Sequence, residues 1–538
     1  MNEVEPGDTS PAAQHKRSSA NILNKFFVSA SGTGISRILG AVRDIVIAHY
    51  FGAGKTIDAF WMAWTVPSLF RRFVADEGLT GAMIPAIAQE ESKFGTLAAR
   101  ELTDKIFTIL LIALSVFCIA GILAAPLLVR LFAYGFISDP VKFNLTVNLT
   151  RWLFPFIAMV SLVSYCEGIL NHRGHFFIPK IAPGLVSAGI IVAVVLFMNR
   201  FSPPVYSLAA GVLAGGIFHF LVQLPILGKL WYFPRPNFQF NSPRVRFFLG
   251  EMGKVILIGI FAQLNVVVLR QLASFLPAGS VTHYWNANRI MDLTHGIIAI
   301  GMGSALMPVV TRSVFEKDWH KVRDQLEYSI KMVAFFLFPA CAFMLFFHKA
   351  TVAILFRHGS FTIHDSLVTA ATLQLLIPFL INLAGINIIK KVYFAIDDRN
   401  TLMAVGGFGV ALTAMIGIVL TKAMGLGVRG LAVSLSISTF IQLILYFYIL
   451  RRKIPEVVQP AGMLLSLLRI AGACIPAMIL LYLLADTGNW EKGPGELKNL
   501  LIFGCSALLT LLTYLVSAYL LKVKELRIFL KRFKKFKK

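Results

Sequence analysis

The sequence predicts an all-α polytopic membrane protein: fourteen transmembrane helices, two parallel six-helix repeats around a central cavity plus two C-terminal helices. Three observations carry that expectation. The 538 residues have a mean hydropathy of +0.73, and 14% are charged, where soluble domains carry about 25%. Apolar runs of roughly 20 residues, long enough to cross a bilayer core, follow one another with short breaks. Sequence fragments from the first six runs recur in the second six at a nearly constant offset.

Residues 1–24 are polar and contain no apolar signal-peptide core, so a disordered cytoplasmic extension is expected there. The runs then lie near 27–49, 58–90, 105–133, 147–170, 178–199 and 205–228, and a basic connector, KLWYFPRPNFQFNSPRVRF, occupies 229–247. A second set lies near 249–276, 281–312, 328–348, 367–395, 402–423 and 427–450. The linker RRKIPEVVQPAG precedes two last runs, near 465–485 and 498–521. The expected divisions are a first lobe at 25–235, a second at 236–453, spans 13 and 14 within 454–522, and a basic tail at 523–538. The five cysteines all fall in apolar runs without metal-ligand spacing and are expected to be small buried hydrophobes.

The repeat is visible in four places. GLTGAMIPAI aligns with GMGSALMPVV, placing Pro85 on Pro308 (308 − 85 = 223). LFPFI aligns with LIPFL, placing Pro155 on Pro378 (378 − 155 = 223). Gly135 falls on Gly359 at an offset of 224, and Ala53-Gly54 on Ala278-Gly279 at 225. Four matches in order argue for duplication. Units of six spans insert the same way up, giving parallel repeats.

The net charge of +24 does not indicate nucleic acid, because the basic residues sit in short loops and the tail. Alternate loops hold Lys93, Arg100 and Lys105; Arg173 and Lys180; Arg312, Lys317 and Lys321; and Arg451, Arg452 and Lys453. With the basic tail, this pattern places both termini in the cytoplasm and the tail on anionic lipid. Walker A, HExxH and GxSxG patterns are absent from the sequence, and the histidines are scattered. No catalytic residue, metal or resident cofactor is expected.

The stretch 32–78 carries Arg37, Arg43, Asp44, Asp58, Arg71, Arg72, Asp76 and Glu77 among apolar residues. A charge at the centre of a lipid-facing helix costs roughly 2.5–3.5 kcal/mol, so these are expected to line an aqueous cavity or sit at the interfaces. Arg43 has a local alternative in Asp44, and Arg71 and Arg72 one in snorkelling from a span end near Pro67. Gly32, Gly34 and Gly40 are expected to let the first span bend. Asp58 either caps the second span or gates with Lys55. Arg289 lies in the second-repeat run YWNANRIMDL, with Asp292 one turn on as the competing ion-pair partner, and Arg270 is expected near the outer interface. Arginine suits a pyrophosphate because its planar guanidinium binds two oxygens at once.

At SRILGAVRD (36–44), FGAGKTIDAF (51–60), PSLFRRF (67–73) and NRIMDL (288–293) the chain resembles the MurJ (MviN) family of bacterial lipid II flippases, in the multidrug/oligosaccharidyl-lipid/polysaccharide exporter superfamily. The resemblance runs from about residue 22 to 522. Each motif is weak alone; the combination is specific. It implies a V-shaped pair of lobes around a cationic cavity, with spans 13 and 14 forming a groove for a polyprenyl tail. It implies movement of undecaprenyl-pyrophosphate-linked disaccharide-pentapeptide (lipid II) from the cytoplasmic to the periplasmic leaflet of the bacterial inner membrane. The family's essential arginines carry onto Arg37, Arg43, Arg71 and Arg289, and its span-2 acid onto Asp58. The acid after the paired arginines falls on Asp76 or Glu77, because one extra residue stands there. Asn288 replaces an acid that the family often shows, and a family lysine is replaced around Thr65. The energy source is a coupling ion or the membrane potential, and cell-wall synthesis proteins are implied partners. The rival readings are a flippase for another polyprenyl-pyrophosphate-linked glycan, a drug/cation antiporter of the same superfamily, a membrane-embedded glycosyltransferase and a non-transporting scaffold. Short outer loops argue against the third, and intramembrane arginines against the second and fourth.

Overall fold

In lipid, a chain must satisfy its own backbone, and long apolar runs do so as helices. The computed structural model describes residues 11–72, 79–239 and 242–528, and all regular structure among them is helical. Nine helices there are long and apolar enough to cross a membrane, with two shorter apolar helices at Gly184–Arg200 and Leu306–Phe315. The described part of each of the fourteen apolar runs falls largely on helix. The helices at Pro11–Phe51 and Pro243–Ser274 are not among the nine.

The chain forms two compact units, Met1–Ile47 with Lys55–Leu264, and Ala48–Gly54 with Asn265–Lys538. The division falls at 264/265, inside a helix. The first unit holds α1 (Pro11–Phe51) up to Ile47, α2 (Lys55–Phe70), α3 (Thr80–Leu123), α4 (Ala125–Phe132), α5 (Pro140–Leu153), α6 (Pro155–His172), α7 (Phe177–Ile181), α8 (Gly184–Phe197), α9 (Tyr206–Leu221), α10 (Leu224–Lys229) and the start of α11 (Pro243–Ser274). Helix α1 begins at Pro11, so the described part of the 1–24 extension is helical. Gly95 interrupts α3 with a left-handed φ of 84°, which separates the end of the second apolar run from the third. Pro140 and Pro155 open α5 and α6, where their missing N–H costs no helical bond. Met83, Ile87, Ile106, Tyr165, Ile169 and Phe248 form one core of this unit.

The second unit holds the rest of α11, α12 (Ser280–Phe315), α13 (Trp319–Phe346), α14 (His348–Phe356), α15 (Ile363–Ala395), α16 (Arg399–Ile418), α17 (Gly427–Lys453), α18 (Pro460–Leu484) and α19 (Leu497–Leu520). Asp318, Thr362 and Asp398 cap α13, α15 and α16 by accepting from backbone N–H groups. The last two helices pack on α13. Ile470, Ala473 and Ala477 of α18 and Tyr514 and Ala518 of α19 are buried around Phe335, and Tyr514 donates to the Phe335 carbonyl at 2.8 Å. Cys118, Cys166, Cys341 and Cys474 are buried as expected; Cys505 is exposed on α19.

Without a hydrophobic drive between helices in lipid, small residues decide how closely they approach. Helices α8 and α9 touch backbone to backbone at Gly189, Gly211 and Gly215. A Cβ at Gly215 would lie 2.6 Å from Val186 Cα, and one at Gly211 2.6 Å from Ile190 Cα. Gly32 also sits at a close approach: a Cβ there would lie 3.2 Å from the Phe177 carbonyl. Gly34 faces open space. Gly215→Leu is therefore expected to destabilise the protein by about 2 kcal/mol or more through overpacking. Gly34→Ala is expected to be neutral or stabilising by about 0.5–1 kcal/mol. Thermal unfolding in detergent measures both.

Candidate functional site

Helix α1 crosses α8 where Gly184 would place a Cβ 2.9 Å from Leu39 Cδ1 and 3.5 Å from Ser36 Cα. That crossing fixes the face of α1 around Ser36 and Leu39. At about 100° per residue, Arg37 sits roughly 130° from the centre of this contact. Arg37 is half-buried, and no partner for its side chain occurs among the described residues. Arg43 is different. Its Nε and a terminal nitrogen both donate to Asp44 Oδ1, at 2.9 and 2.6 Å, with the Asp44 side chain 1% exposed. The local pairing open to Arg43 in the sequence is thus formed, and the part of its guanidinium left over is what a ligand would meet.

Helix α2 runs through Pro67 to Phe70 and widens into a π turn at Arg71 and Arg72, so the proline does not end it. Such turns recur at functional sites. Arg72 donates to Gln263 at 3.2 Å, and the Arg71 charge acts on buried His219 of α9. Asp76 and Glu77 lie outside the described residues. Arg289, on α12, is half-buried. Asp292 one turn on accepts from Asn288 at 3.1 Å. Arg270 is buried, its guanidinium 4.7 Å over the Trp285 ring.

The structure gives Asp58 a partner that the sequence reading missed. The carboxylate is fully buried in the first turn of α2 and accepts from Lys142 Nζ of α5 at 3.1 Å. The Lys142 ammonium also lies 3.9 Å over the Phe136 ring. Lys55, the expected gating partner of Asp58, instead meets Asp139 at 2.7 Å. Asp139 in turn caps α5 through the Lys142 N–H at 3.2 Å. Two ion pairs thus clasp the starts of α2 and α5. Lys142 is separated from Asp58 by 84 positions, and its signal was a lone lysine in the first turn of a helix whose only other charge is Arg151 in its last turn.

The basic connector is also tied down. Arg173 donates to Glu91 at 2.8 Å and to the Tyr232 hydroxyl at 2.6 Å, His172 lies 2.8 Å from Glu91, and Arg244 pairs with Glu90.

A membrane protein made of two repeated helical units, with arginines set into apolar helices, is of the membrane-carrier class. Comparison with known proteins narrows it. The family model described as lipid II flippase MurJ matches residues 47–498. The chain belongs to that family. The lipid II flippase MurJ of Burkholderia cenocepacia is 29% identical over 478 residues, 87% of this chain and 91% of its own. The probable lipid II flippase MurJ of Bdellovibrio bacteriovorus is 28% identical over 519 residues, covering 95% and 97%. A solved lipid II flippase MurJ in an inward closed conformation shares the fold, with a TM-score of 0.77 at 21% identity over 92% of this chain and 98% of that one. An inward-facing MATE transporter of the MOP superfamily shares it at a TM-score of 0.65 and 18% identity, over 81% and 99%.

Removing one member of a buried ion pair strands the other charge, which typically costs 3–5 kcal/mol. Lys142→Met is therefore expected to destabilise by about 4 kcal/mol, and adding Asp58→Asn to restore most of the loss; a double-mutant cycle on melting in detergent checks this. The outer pair responds to acid. The Lys55 ammonium, with the Lys142 N–H, holds Asp139 below the usual carboxylate range. A carboxylate held low lends stability above its unfolded value and loses it as pH falls through the folded one. Amide exchange at the start of α5 should stay slow down to about pH 4 and rise below it. Asp139→Asn should abolish that transition.

Proposed function

We propose that this chain moves lipid II across the cytoplasmic membrane by alternating access, with arginines engaging the lipid's pyrophosphate. The observation that carries the proposal is Arg37: a permanent charge in a membrane helix, half-buried, with no partner among the described residues. Such a charge is costly unless something answers it, and a bound pyrophosphate does. Arg43, Arg71 and Arg289 are its proposed companions, and Asp58 with Asp76 or Glu77 the proposed gating acids. Membership of the MurJ family names the lipid.

The basic loops support placing both termini in the cytoplasm. The tail would rest on anionic lipid there, and α18 and α19 would take the polyprenyl chain. The membrane potential is strong enough to bias the return of the empty carrier, at about 2.3 kcal/mol per charge per 100 mV. Contacts with cell-wall synthesis proteins fit the same role. Another polyprenyl-pyrophosphate-linked glycan would satisfy the same arginines, and only the family match favours lipid II. A cation antiporter fits less well, because a cation site needs open acids. Asp44 and Asp58 are already paired with Arg43 and Lys142.

The test is complementation in a bacterium depleted of its own flippase. Wild type should restore periplasmic lipid II. Losing one charge-assisted arginine contact costs about 2 kcal/mol, roughly thirtyfold in affinity, so Arg37→Ala, Arg71→Ala and Arg289→Ala, inserted at normal levels, should not restore it. A well-inserted wild type that fails would remove lipid II as the substrate. Fully active alanine variants would remove the arginines from the site.

A further inference from the structure

The two repeats carry buried acid–base couples at equivalent places, with acid and base exchanged. Asp58 is the fourth residue of α2 and His283 the fourth of α12 (283 − 58 = 225). Lys142 is the third residue of α5 and Asp365 the third of α15 (365 − 142 = 223). These offsets are those of the repeat itself. The residue before α5, Asp139, caps it through the Lys142 N–H, and the residue before α15, Thr362, caps it through the Asp365 N–H. An aromatic ring accompanies each base: Phe136 lies under the Lys142 ammonium, and Phe361 stands edge-on to His283 with ring centres 6.5 Å apart. In the first unit the earlier helix supplies the acid and the later one the base. In the second unit the earlier helix supplies the base and the later one the acid.

The exchange has a chemical consequence. Lysine holds its charge across physiological pH, whereas imidazole changes charge between about pH 5 and 8. His283 Nε2 lies 3.6 Å from Asp365 Oδ1, beyond hydrogen-bond length, and its Nδ1 lies 3.1 Å from Thr369 Oγ1. The other carboxylate oxygen, Oδ2, is held by the Thr362 N–H and hydroxyl at 2.9 and 2.7 Å. Both residues are more than nine-tenths buried. A neutral imidazole has one ring proton to donate; an imidazolium donates from both nitrogens. Protonation would thus complete in the second unit the charged pair that the first unit holds permanently.

We propose that His283 and Asp365 form a proton-binding site that latches α12 to α15 when it is occupied and loosens them when it is empty. The site deepens the transport reading and rests on it for one point only, that the latch biases the carrier's cycle. Several other charged and titratable groups stand on the surrounding elements. Arg357, before α15, donates to the Phe361 carbonyl at 3.0 Å, and His358 Nε2 lies 3.0 Å from the Leu355 carbonyl. Arg270 of α11 lies over Trp285, and His49, at the end of α1, packs edge-on to Tyr50. On α12 itself Asp292 accepts from Asn288, and His364 neighbours Asp365 on α15. Position 279 presses on the imidazole as well: a Cβ there would lie 3.1 Å from Nε2, so the glycine that caps α12 leaves room for the ring.

The test compares melting in detergent at about pH 5.5 and about pH 8 for wild type, His283→Gln, His283→Lys and Asp365→Asn. The His172–Glu91 pair in the first unit is common to all four proteins and cancels in the comparison. Wild type should gain stability at the lower pH. His283→Gln and Asp365→Asn should lose that gain, and His283→Lys should stay near the acid value at both pH values. Should His283→Gln fail to fold, His283→Lys and Asp365→Asn still decide the matter. A pH slope unchanged in the variants overturns the proposal. In vesicles, lipid II transport by wild type should vary severalfold over this range and transport by His283→Lys should not; equal pH dependence in the two overturns the role in the cycle. Absent transport by wild type with the melting differences intact would sink the substrate assignment and leave the proton site standing.

Discussion

The ion pair between Asp58 and Lys142 shows the constraint under which the whole chain is built. A charge among apolar helices must meet an opposite charge, a ring face or a ligand, because the surrounding lipid offers nothing. Asp58 and Lys142 answer each other and add the Phe136 ring. Arg43 is answered by Asp44, and Arg270 lies over Trp285. Arg37 has no such partner among the described residues, and that is why the proposed ligand contact is placed there. The functional assignment therefore follows from accounting for each charge in turn, and not from the number of arginines.

The same constraint explains which parts were legible in the sequence. Helices were legible because hydropathy and backbone satisfaction are local. The repeat was legible because four fragments kept one offset, and the helix starts of the two units now follow it. The pairing of Arg43 with its neighbour was open to inspection for the same local reason. Pairings across helices were not. Asp58 seemed to offer a cap or a partner for Lys55, since both lie close in sequence, but its partner came from 84 positions away. Gly32 suggested bending because glycine weakens a helix; the close passage of Phe177 and Lys180 beside it is something that only tertiary packing reveals. The connector 229–247 looked like a lobe boundary because it is polar, yet Arg173, Tyr232 and Arg244 bind it to α3 and α6. Among the candidate acids, Asp76 and Glu77 lie outside the described residues.

Duplication gives each unit the same helix starts and the same caps, while the side chains at equivalent places have diverged. In the first unit the clasp is reinforced by a second pair, Lys55 with Asp139, at the helix ends. In the second unit the capping position is a threonine, and the base is a histidine. One unit is thus held by charges fixed at any physiological pH, and the other by a charge that depends on it. A carrier benefits from such asymmetry, since two states must stay close in energy for either to be reached.

The most direct measurement uses purified protein in vesicles of defined lipid, with labelled lipid II placed in one leaflet and a membrane-impermeant reagent reporting its arrival in the other. The account predicts transfer by wild type, its loss in Arg37→Ala, and partial recovery in Arg37→Lys, which keeps the charge but not the two-pronged geometry. Transfer by Arg37→Ala at the wild-type rate would contradict it.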